Sequence, residues 1–259
     1  MPFATLNGVT LHYRYRPGAG VPVVCLNSLG TDFRIWDGVI AGLGTDVPVL
    51  CLDKRGHGLS DEGPVTMAHL VEDVAALMDH LGLRHAVICG VSVGGMIAQG
   101  LAAVRPDLAA GLVLCCTGAR IGDAEGWNAR IDTVRRDGIA AMSENILERW
   151  FSTRFRRTQT AALAGYRNML TRTPAGGYAG VCAAIRDTDF TEQSARLALP
   201  TCCLAGAEDL ATPPDLVAAL AALIPGATVE VLDGCGHLPC IEAPEAVAGA
   251  VSALRGRLM

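Results

Sequence analysis

Short apolar runs recur along this chain, and segments with helical periodicity separate several of them. A strand that is buried on both faces of a parallel sheet reads as a continuous apolar run. Alternation of such strands with helices predicts a doubly wound α/β sheet. The predicted strands are Val21–Leu26, Val47–Leu52, Ala86–Cys89, Leu112–Cys116, Thr201–Ala205 and Thr228–Leu232.

Helical periodicity is clearest over Met67–Leu81, where the apolar residues fall on one face and Gly82 suits a C-terminal cap. Two further helices are expected. One follows Gly94 and ends before Pro106, and the other runs from about Pro244 to the C-terminus. These helices are expected to flank the sheet.

The N-terminal residues predict a β-hairpin, because two alternating stretches, Phe3–Leu6 and Val9–Tyr15, flank the turn dipeptide Asn7-Gly8. Together with the six apolar runs, the hairpin gives a mostly parallel sheet of eight strands. A chain of 259 residues with 51% hydrophobic content is long enough to bury one substantial core around such a sheet.

The alternation of strands and helices stops between Ala119 and about Ser194, where the composition shifts toward Arg, Thr and helix formers. This shift predicts a helical cap, residues 119–194, inserted between the two parts of an α/β core, residues 1–118 and 195–259. Aromatic residues at helical spacing usually belong to a core, but those of a cap can also form pocket walls. The candidate wall residues are Trp127, Arg130, Trp150, Phe151 and Tyr166.

The charge balance excludes some classes of partner. Charged residues make up 18% of the chain and the net charge is -5, so neither nucleic acid nor an anionic membrane is an expected partner. The N-terminal residues show no export signal and no later stretch approaches a membrane span, so a cytoplasmic location is expected. The ten cysteines lie mostly in apolar runs and form no Cys-x-x-Cys pair, which predicts free thiols and no metal site.

The strongest chemical signal is Gly90-Val91-Ser92-Val93-Gly94, which follows the predicted strand Ala86–Cys89 and precedes an Ala-rich helical segment. In this strand–turn–helix context, Gly-x-Ser-x-Gly is the nucleophile elbow of the α/β-hydrolase fold. The glycines are needed because the turn holds the serine in a strained backbone conformation. The motif alone also arises by chance in a chain with 30 glycines, so the rest of the sequence must supply its partners.

A serine hydroxyl needs a positioned base, and in this fold the acid follows the serine and the histidine comes last. His237 lies in a turn just beyond the last predicted strand and is the candidate base. Two adjacent carboxylates, Glu208 and Asp209, follow the penultimate strand. Asp209 is preferred because a short acidic side chain after a Gly-x-x turn matches the pattern of the fold. The other histidines are expected to have structural roles.

Stabilising the oxyanion of acyl transfer takes two backbone N–H donors. The predicted donors are the amide of Val93, directly after the nucleophile, and the amide of Leu29, in the loop after the third strand. The block Asp53–Ser60 follows the fourth strand. It is assigned a mainly structural role, with a contribution to the pocket as the alternative.

The chain resembles the 3-oxoadipate enol-lactonases, which are α/β hydrolases of aromatic-compound degradation. The elbow and the Arg-Gly-His-Gly sequence are shared by many hydrolases, whereas the loop Asn27–Asp32 and the cap segments are the discriminating features. The resembling segments are Leu6–Val9, Asn27–Asp32, Trp36-Asp37, Asp53–Ser60, Gly90–Met96, Ala119–Gly122, Arg149–Phe151, Gly177–Ala179 and Asp209–Pro213.

The resemblance implies hydrolysis of a small anionic lactone whose leaving group is an enol, giving 3-oxoadipate, and it implies no cofactor. The carboxylate of such a substrate needs a cationic partner, because a buried unpaired charge is costly. Arg130 in the cap is the candidate, with Trp127 and Trp150 as further substrate contacts. The alternative for Arg130 is a solvated position on its helix.

Other functions are compatible with the same residues. A carboxylesterase, a carbon–carbon bond hydrolase or a cofactor-free perhydrolase would use the same triad. A ligand-binding receptor would keep the fold without turnover, although the presence of Ser92, Asp209 and His237 argues against it. The sequence does not define the oligomeric state.

Overall fold

An eight-stranded β-sheet forms the centre of the computed structural model, which describes residues 2–259. The strands are β1 (Phe3–Leu6), β2 (Val9–Arg16), β3 (Val23–Leu26), β4 (Val49–Leu52), β5 (Ala86–Val91), β6 (Ala109–Cys115), β7 (Thr201–Gly206) and β8 (Thr228–Leu232). Their order is β1-β2-β4-β3-β5-β6-β7-β8. β1 and β2 pair antiparallel with each other, β2 is antiparallel to β4, and every pairing from β4 to β8 is parallel.

Helices follow most strands and cover the sheet. They are α1 (Asp37–Gly42), α2 (Met67–His80), α3 (Val93–Val104), α4 (Ala124–Asp137), α5 (Ser143–Trp150), α6 (Thr153–Thr158), α7 (Thr160–Thr171), α8 (Ala175–Arg186), α9 (Thr191–Ser194), α10 (Pro214–Leu223), α11 (Pro239–Glu242) and α12 (Pro244–Gly256). Short 3-10 helices lie at Phe33–Trp36 and Ile139–Met142. The predicted α/β architecture is therefore confirmed, and each predicted helix is present.

The starts of β3 and β4 differ from the sequence prediction. β3 and β4 each begin two residues later than expected, at Val23 and Val49. The residues directly before them are Pro22 and Pro48, which have no N–H to donate to the sheet. The local chemistry of proline therefore delays the start of both strands.

The environment of β8 also differs from the prediction, which treated the run Thr228–Leu232 as one of several apolar strands. Among the described residues 2–259, β8 lies at the edge of the sheet and pairs with β7 alone. Val229 is 45% exposed and Val231 is 50% exposed. The apolar composition predicted the strand correctly but could not reveal its position at the edge.

The N-terminal hairpin forms as predicted. Leu6 pairs with Val9, and the turn residues Asn7 and Gly8 have φ angles of 51° and 76°. Positive φ at both central positions is the requirement of a type I′ turn, which asparagine and glycine meet at low cost. The sequence of the turn therefore determines the register of β1 and β2.

The direction of the parallel strands determines where the loops meet. β3, β5, β7 and β8 all point their carboxyl ends to the same edge of the sheet, which is where ligands bind in open α/β folds. The segment between β6 and β7 contains the helices α4 to α9. Side chains of α4, α5 and α8 face the loops at this edge across a cavity.

All ten cysteines are free thiols, in agreement with the sequence prediction, and all but Cys202 are buried. Buried thiols behave as small apolar side chains. Among residues 2–259, no helix is both long and apolar enough to cross a membrane.

A buried ion pair ties the loop after β4 to α2. The guanidinium of Arg55 donates to both carboxylate oxygens of Asp73, at 2.6 and 2.7 Å, and both side chains are at most 3% exposed. Arg55 also donates to the carbonyl oxygen of Pro64 at 2.7 Å, and Asn7 donates to Asp73 at 3.1 Å. The pair therefore connects the hairpin turn, α2 and the loop after β4.

We expect Arg55→Met to lower the free energy of unfolding by about 3–5 kcal/mol, because Asp73 would keep a buried charge without its partner. The control is Arg196→Met, which removes an ion pair with Glu192 whose side chains are 78% and 81% exposed. That change should cost about 0.5 kcal/mol or less. Urea unfolding measures both variants, and equal losses would contradict the interpretation.

Candidate active site

Ser92 stands at the turn between β5 and α3 in a backbone conformation that L-residues rarely adopt, with φ 58° and ψ -121°. The surrounding hydrogen bonds hold this conformation. The amide of Ser92 donates to the carbonyl oxygen of Cys115 at 3.0 Å, and the hydroxyl of Thr117 donates to the carbonyl oxygen of Ser92 at 2.7 Å. The strained turn presents Ser92 to the cavity at the carboxyl edge of the sheet.

Two glycines of the elbow are required by close backbone contacts. A Cβ atom on Gly90 would lie 2.3 Å from the carbonyl oxygen of Gly94. A Cβ atom on Gly94 would lie 2.1 Å from the carbonyl oxygen of Leu26, at the end of β3. Real Cβ atoms do not approach so closely, so the turn can form only without side chains at these positions.

Asp209 and His237 meet in the loops after β7 and β8. Nδ1 of His237 lies 2.8 Å from Oδ2 of Asp209, and both residues are 2% exposed. The other carboxylate oxygen accepts hydrogen bonds from the amides of Ala211 and Thr212, at 2.7 and 3.0 Å. The hydroxyl of Thr212 lies 2.7 Å from Oδ2. The carboxylate is thus fixed on both sides and faces the imidazole.

The pKa of Asp209 is lowered although burial alone would raise it. The attraction of His237, together with the hydrogen bonds from His237 and Thr212, outweighs the cost of burial. Asp209 is therefore an anion over the neutral pH range. This ionisation stabilises the folded protein above pH 3.8, the ordinary value, and the contribution is lost as the pH falls through the lowered pKa.

Glu208, the other carboxylate considered from the sequence, points away from the imidazole. It is exposed and accepts a hydrogen bond from the amide of Thr153 at 2.9 Å. The structure therefore places Asp209, and not Glu208, against His237. In the part of the chain that is described, no hydrogen bond joins Ser92 to His237, although both line the same cavity.

The loop of His237 is also attached to the cap. The amide of His237 donates to the carbonyl oxygen of Trp150, at the end of α5, at 2.8 Å. The carboxylate of Glu242 accepts hydrogen bonds from the amides of Gly236 and Ser152, at 2.9 and 3.2 Å. The position of His237 therefore depends on the cap as well as on the sheet.

A cavity of about 590 Å³ lies between the carboxyl edge of the sheet and the cap. Ser92 and His237 form part of its floor, and helices α4, α5 and α8 supply much of its wall. All three cap residues predicted as substrate contacts line it, namely Trp127, Arg130 and Trp150. Phe151 and Tyr166, two further wall candidates from the sequence, are not among the lining residues. Their rings lie 5.4 Å apart between centres and are tilted by 35° to each other. The block Asp53–Ser60 does not line the cavity either.

The amides of Leu29 and Val93, predicted as oxyanion donors, are available for a ligand. Neither makes a hydrogen bond within the described residues 2–259. Leu29 lines the cavity beside Ser92, and Val93 is the first residue of α3, where the backbone N–H groups point out of the helix. The positive end of the α3 dipole adds to the attraction of negative charge at this point.

Two arginines face the cavity without an acidic partner. Within the described chain, no carboxylate oxygen lies within 4.0 Å of the guanidinium of Arg130 or Arg149. The Cζ atom of Arg130 lies 5.4 Å from the ring centre of Trp127. Burial and the neighbouring charge of Arg130 lower the pKa of Arg149. The two cations thus lie near each other, and within residues 2–259 neither forms an ion pair with a carboxylate.

Arg149, Tyr178 and Ser28 line the cavity but were not singled out as site residues from the sequence. Arg149 and Tyr178 stand in segments that carry the family resemblance, and that was the available signal. The hydroxyl of Ser28 is buried and has no hydrogen-bond partner within residues 2–259. Such an orphan group is a candidate for a substrate contact.

One group of side chains has a spacing that a metal ion could use: atoms of Cys116, Asp209 and His237 lie within 4.8 Å of one another. Burial, followed by the charge of Asp209, raises the pKa of the Cys116 thiol well above its ordinary value. A metal-binding thiolate is therefore disfavoured, and the oxygens of Asp209 are already hydrogen-bonded. These residues fit an acid–base pair better than a metal centre.

We expect Gly94→Ala to lower the free energy of unfolding by about 2 kcal/mol or more, because the new methyl group would overlap the backbone of Leu26. The control is Gly249→Ala, inside α12, where a Cβ atom meets nothing within 4 Å. This change should stabilise the protein by about 0.5–1 kcal/mol, through helix propensity. Thermal or urea unfolding measures the stability of both variants. A Gly94→Ala variant as stable as the wild type would contradict the close contact with Leu26.

Comparison with known proteins shows the family to which the chain belongs. The chain matches the α/β-hydrolase fold family over residues 21–244. It is 34% identical over 256 residues to 3-oxoadipate enol-lactonase 2 of Acinetobacter baylyi, covering 98% of this chain and 96% of that protein.

Solved structures give the same grouping. The enol-lactonase of Burkholderia xenovorans superposes with a TM-score of 0.93 and 36% identity, over 98% of this chain and 99% of that one. A thermophilic esterase of Thermogutta terrifontis superposes with a TM-score of 0.92 and 29% identity, over 99% and 98% of the two chains. The chain therefore belongs to the α/β-hydrolase family, and within it to the carboxylic ester hydrolases of the 3-oxoadipate enol-lactonase type.

Proposed function

We propose that the chain opens the lactone ring of 3-oxoadipate enol-lactone, with Ser92 as nucleophile, His237 as general base and Asp209 as the acid that orients His237. The observation that carries the proposal is the contact of Asp209 with His237 at the edge of a cavity that also holds Ser92 and two arginines without acidic partners. The triad supplies acyl transfer, and the arginines supply recognition of an anion. The names of the similar enol-lactonases support the choice of substrate.

In the first step, the hydroxyl oxygen of Ser92 bonds to the lactone carbonyl carbon and its proton passes to Nε2 of His237. The carbonyl oxygen becomes an oxyanion, which the amides of Leu29 and Val93 stabilise. Collapse of this intermediate breaks the bond between the carbonyl carbon and the ring oxygen, and Nε2 of His237 gives its proton to that oxygen, so that His237 is neutral again for the second step. The leaving group is an enol that stays attached to the acyl chain, and it becomes a ketone by tautomerisation.

In the second step, His237 accepts a proton from water as the water oxygen attacks the acyl-enzyme carbonyl. The ester bond to Ser92 breaks, the serine recovers its proton and a carboxylate is released. Asp209 keeps Nδ1 of His237 protonated and stabilises the imidazolium in both steps. The hydrogen bonds from Ala211 and Thr212 hold the carboxylate in place for this role.

The substrate carboxylate is proposed to bind between Arg130 and Arg149. Two guanidinium groups repel each other, and an anion between them would relieve that repulsion while gaining charge-assisted hydrogen bonds. Trp127 contacts Arg130 by a cation–π interaction, and Trp150 lines the same cavity. A small lactone with one carboxylate arm therefore matches the charge of the site.

Ser92→Ala should reduce turnover of the enol-lactone by about 10⁴-fold or more, with an unchanged melting temperature, because the nucleophile is lost while the elbow backbone remains. Asp209→Asn should also lower kcat strongly, with a smaller effect on KM. A fluorophosphonate should label the wild-type protein at Ser92 and leave Ser92→Ala unlabelled. Substantial residual turnover in Ser92→Ala would disprove the assignment.

Arg130→Gln and Arg149→Gln should each raise KM for the anionic enol-lactone by about 10–100-fold, since each removes a charged hydrogen bond to the carboxylate. KM for a neutral aryl ester should stay within about twofold. The control is Arg135→Gln, an exposed position on α4 that does not line the cavity. A wild-type preference for aryl esters over the enol-lactone would favour a general carboxylesterase instead.

A further inference from the structure

Lys54 is the one lysine in a chain whose other basic residues, apart from histidine, are all arginine. It follows β4 and is buried, with 6% of its surface exposed. Lysine and arginine are not interchangeable in such a place, because a compact ammonium is a point charge that can direct its hydrogen bonds to a few acceptors. A buried ammonium also needs hydrogen-bond partners to offset the loss of water.

Both hydrogen-bond partners of Lys54 lie in the loop that follows β3. Its Nζ donates to the carbonyl oxygen of Ser28 at 2.6 Å and to that of Thr31 at 3.3 Å. The carbonyl oxygen of Ser28 also accepts a hydrogen bond from the hydroxyl of Thr31 at 2.9 Å. Lys54 does not line the cavity that contains Ser92, so it contacts this loop without reaching the cavity itself.

The carbonyl of Ser28 and the N–H of Leu29 belong to one peptide group. A cation bonded to the oxygen of a peptide draws electron density toward that oxygen and makes the N–H a stronger donor, since hydrogen bonds in a chain polarise one another. The same bond fixes the plane of the peptide and therefore the direction of the N–H. That N–H is the proposed oxyanion donor.

We propose that Lys54 is a positioning residue of the oxyanion hole: its ammonium orients and polarises the Ser28–Leu29 peptide so that the Leu29 amide stabilises the charge that develops on the substrate. The inference rests on the proposed acyl-transfer function. It adds a second layer to the site, in which a buried cation acts on the substrate through one peptide group and without touching it.

The charges around Lys54 set the pH range of this effect. Burial lowers the pKa of Lys54 to about 7, while the carboxylates of Asp53 and Asp32 oppose the shift. His57 also lies close, and burial together with the charge of Lys54 lowers its pKa well below the ordinary value. His57 is therefore neutral and accepts a hydrogen bond from the amide of Gly30 at 3.0 Å, which holds the same loop.

The sign of the pH effect follows from these groups. Below about pH 7 Lys54 is an ammonium and polarises the peptide, and above it the neutral amine still donates but carries no charge. Its contribution to kcat should therefore fall as the pH rises through the pKa of Lys54. Because the chain has a single lysine, ¹³C-lysine labelling gives one side-chain NMR signal that reports this titration directly.

The test compares three variants on a neutral aryl ester, so that the arginines play no part. Lys54→Met removes the donor and the charge, Lys54→Gln keeps a neutral donor, and Thr31→Val removes a neutral donor from the same carbonyl oxygen. The readouts are kcat, KM and the affinity for a boronic acid that forms a tetrahedral adduct on Ser92. Circular dichroism and thermal unfolding check that each variant is folded.

Lys54→Met should lower kcat and boronic acid affinity together, by about tenfold, with KM within about twofold, because losing a whole oxyanion donor costs about 10²–10³. Lys54→Gln and Thr31→Val should lose less. In the wild type, the fall of kcat with rising pH should follow the NMR titration of Lys54. In Lys54→Gln, this fall of kcat should be absent. If Lys54→Met does not fold, the proposal is tested by the kcat of Lys54→Gln and by the pH dependence of kcat in the wild type.

The proposal is wrong if Lys54→Met keeps kcat and boronic acid affinity, if Thr31→Val loses as much as Lys54→Met, or if kcat does not follow the lysine titration. Failure of the proposed function itself would look different. In that case the wild-type protein would show no Ser92-dependent turnover and no boronic acid adduct, and the comparison among variants would have no starting activity.

Discussion

The site depends on the close approach of backbone segments at the carboxyl edge of the sheet. The elbow packs against the end of β3 so tightly that Gly94 has no room for a Cβ atom. The loops after β7 and β8 approach each other in the same way, since a Cβ atom on Gly206 would lie 2.0 Å from the carbonyl oxygen of Gly236. These contacts keep Ser92 in its strained conformation and hold Asp209 against His237. Positions without side chains thus allow the reactive side chains to meet.

Much of this arrangement could be predicted from the sequence, because it depends on local features. The six strands after the hairpin were predicted from apolar runs, each loop of the carboxyl edge begins where such a run ends, and parallel pairing brings those ends together. Asp209 was preferred over Glu208 because a short acidic side chain after a Gly-x-x turn matches the pattern of the fold, and the structure places Asp209 next to His237.

Other features could not be predicted, because they depend on packing between distant segments. Arg149 and Tyr178 line the cavity because α5 and α8 are rotated about their axes in a particular way. The apolar periodicity of a sequence does not determine this rotation to within one residue. Phe151 is adjacent to Trp150 yet does not line the cavity and instead contacts the ring of Phe155. The solitary lysine is visible in the sequence, but its partners become known only when the loops after β3 and β4 are placed side by side.

The bond between the His237 amide and the carbonyl oxygen of Trp150 limits how the cap can move. If the cap moved away as a rigid unit, it would pull His237 away from Ser92, and the two side chains would have to be brought together again after each opening. Glu242, which holds Gly236 and Ser152 together, resists that separation. Substrate exchange is therefore better served by a permanent opening between cap helices than by a hinged lid. An entrance of fixed width would limit the size of the molecules that can reach Ser92.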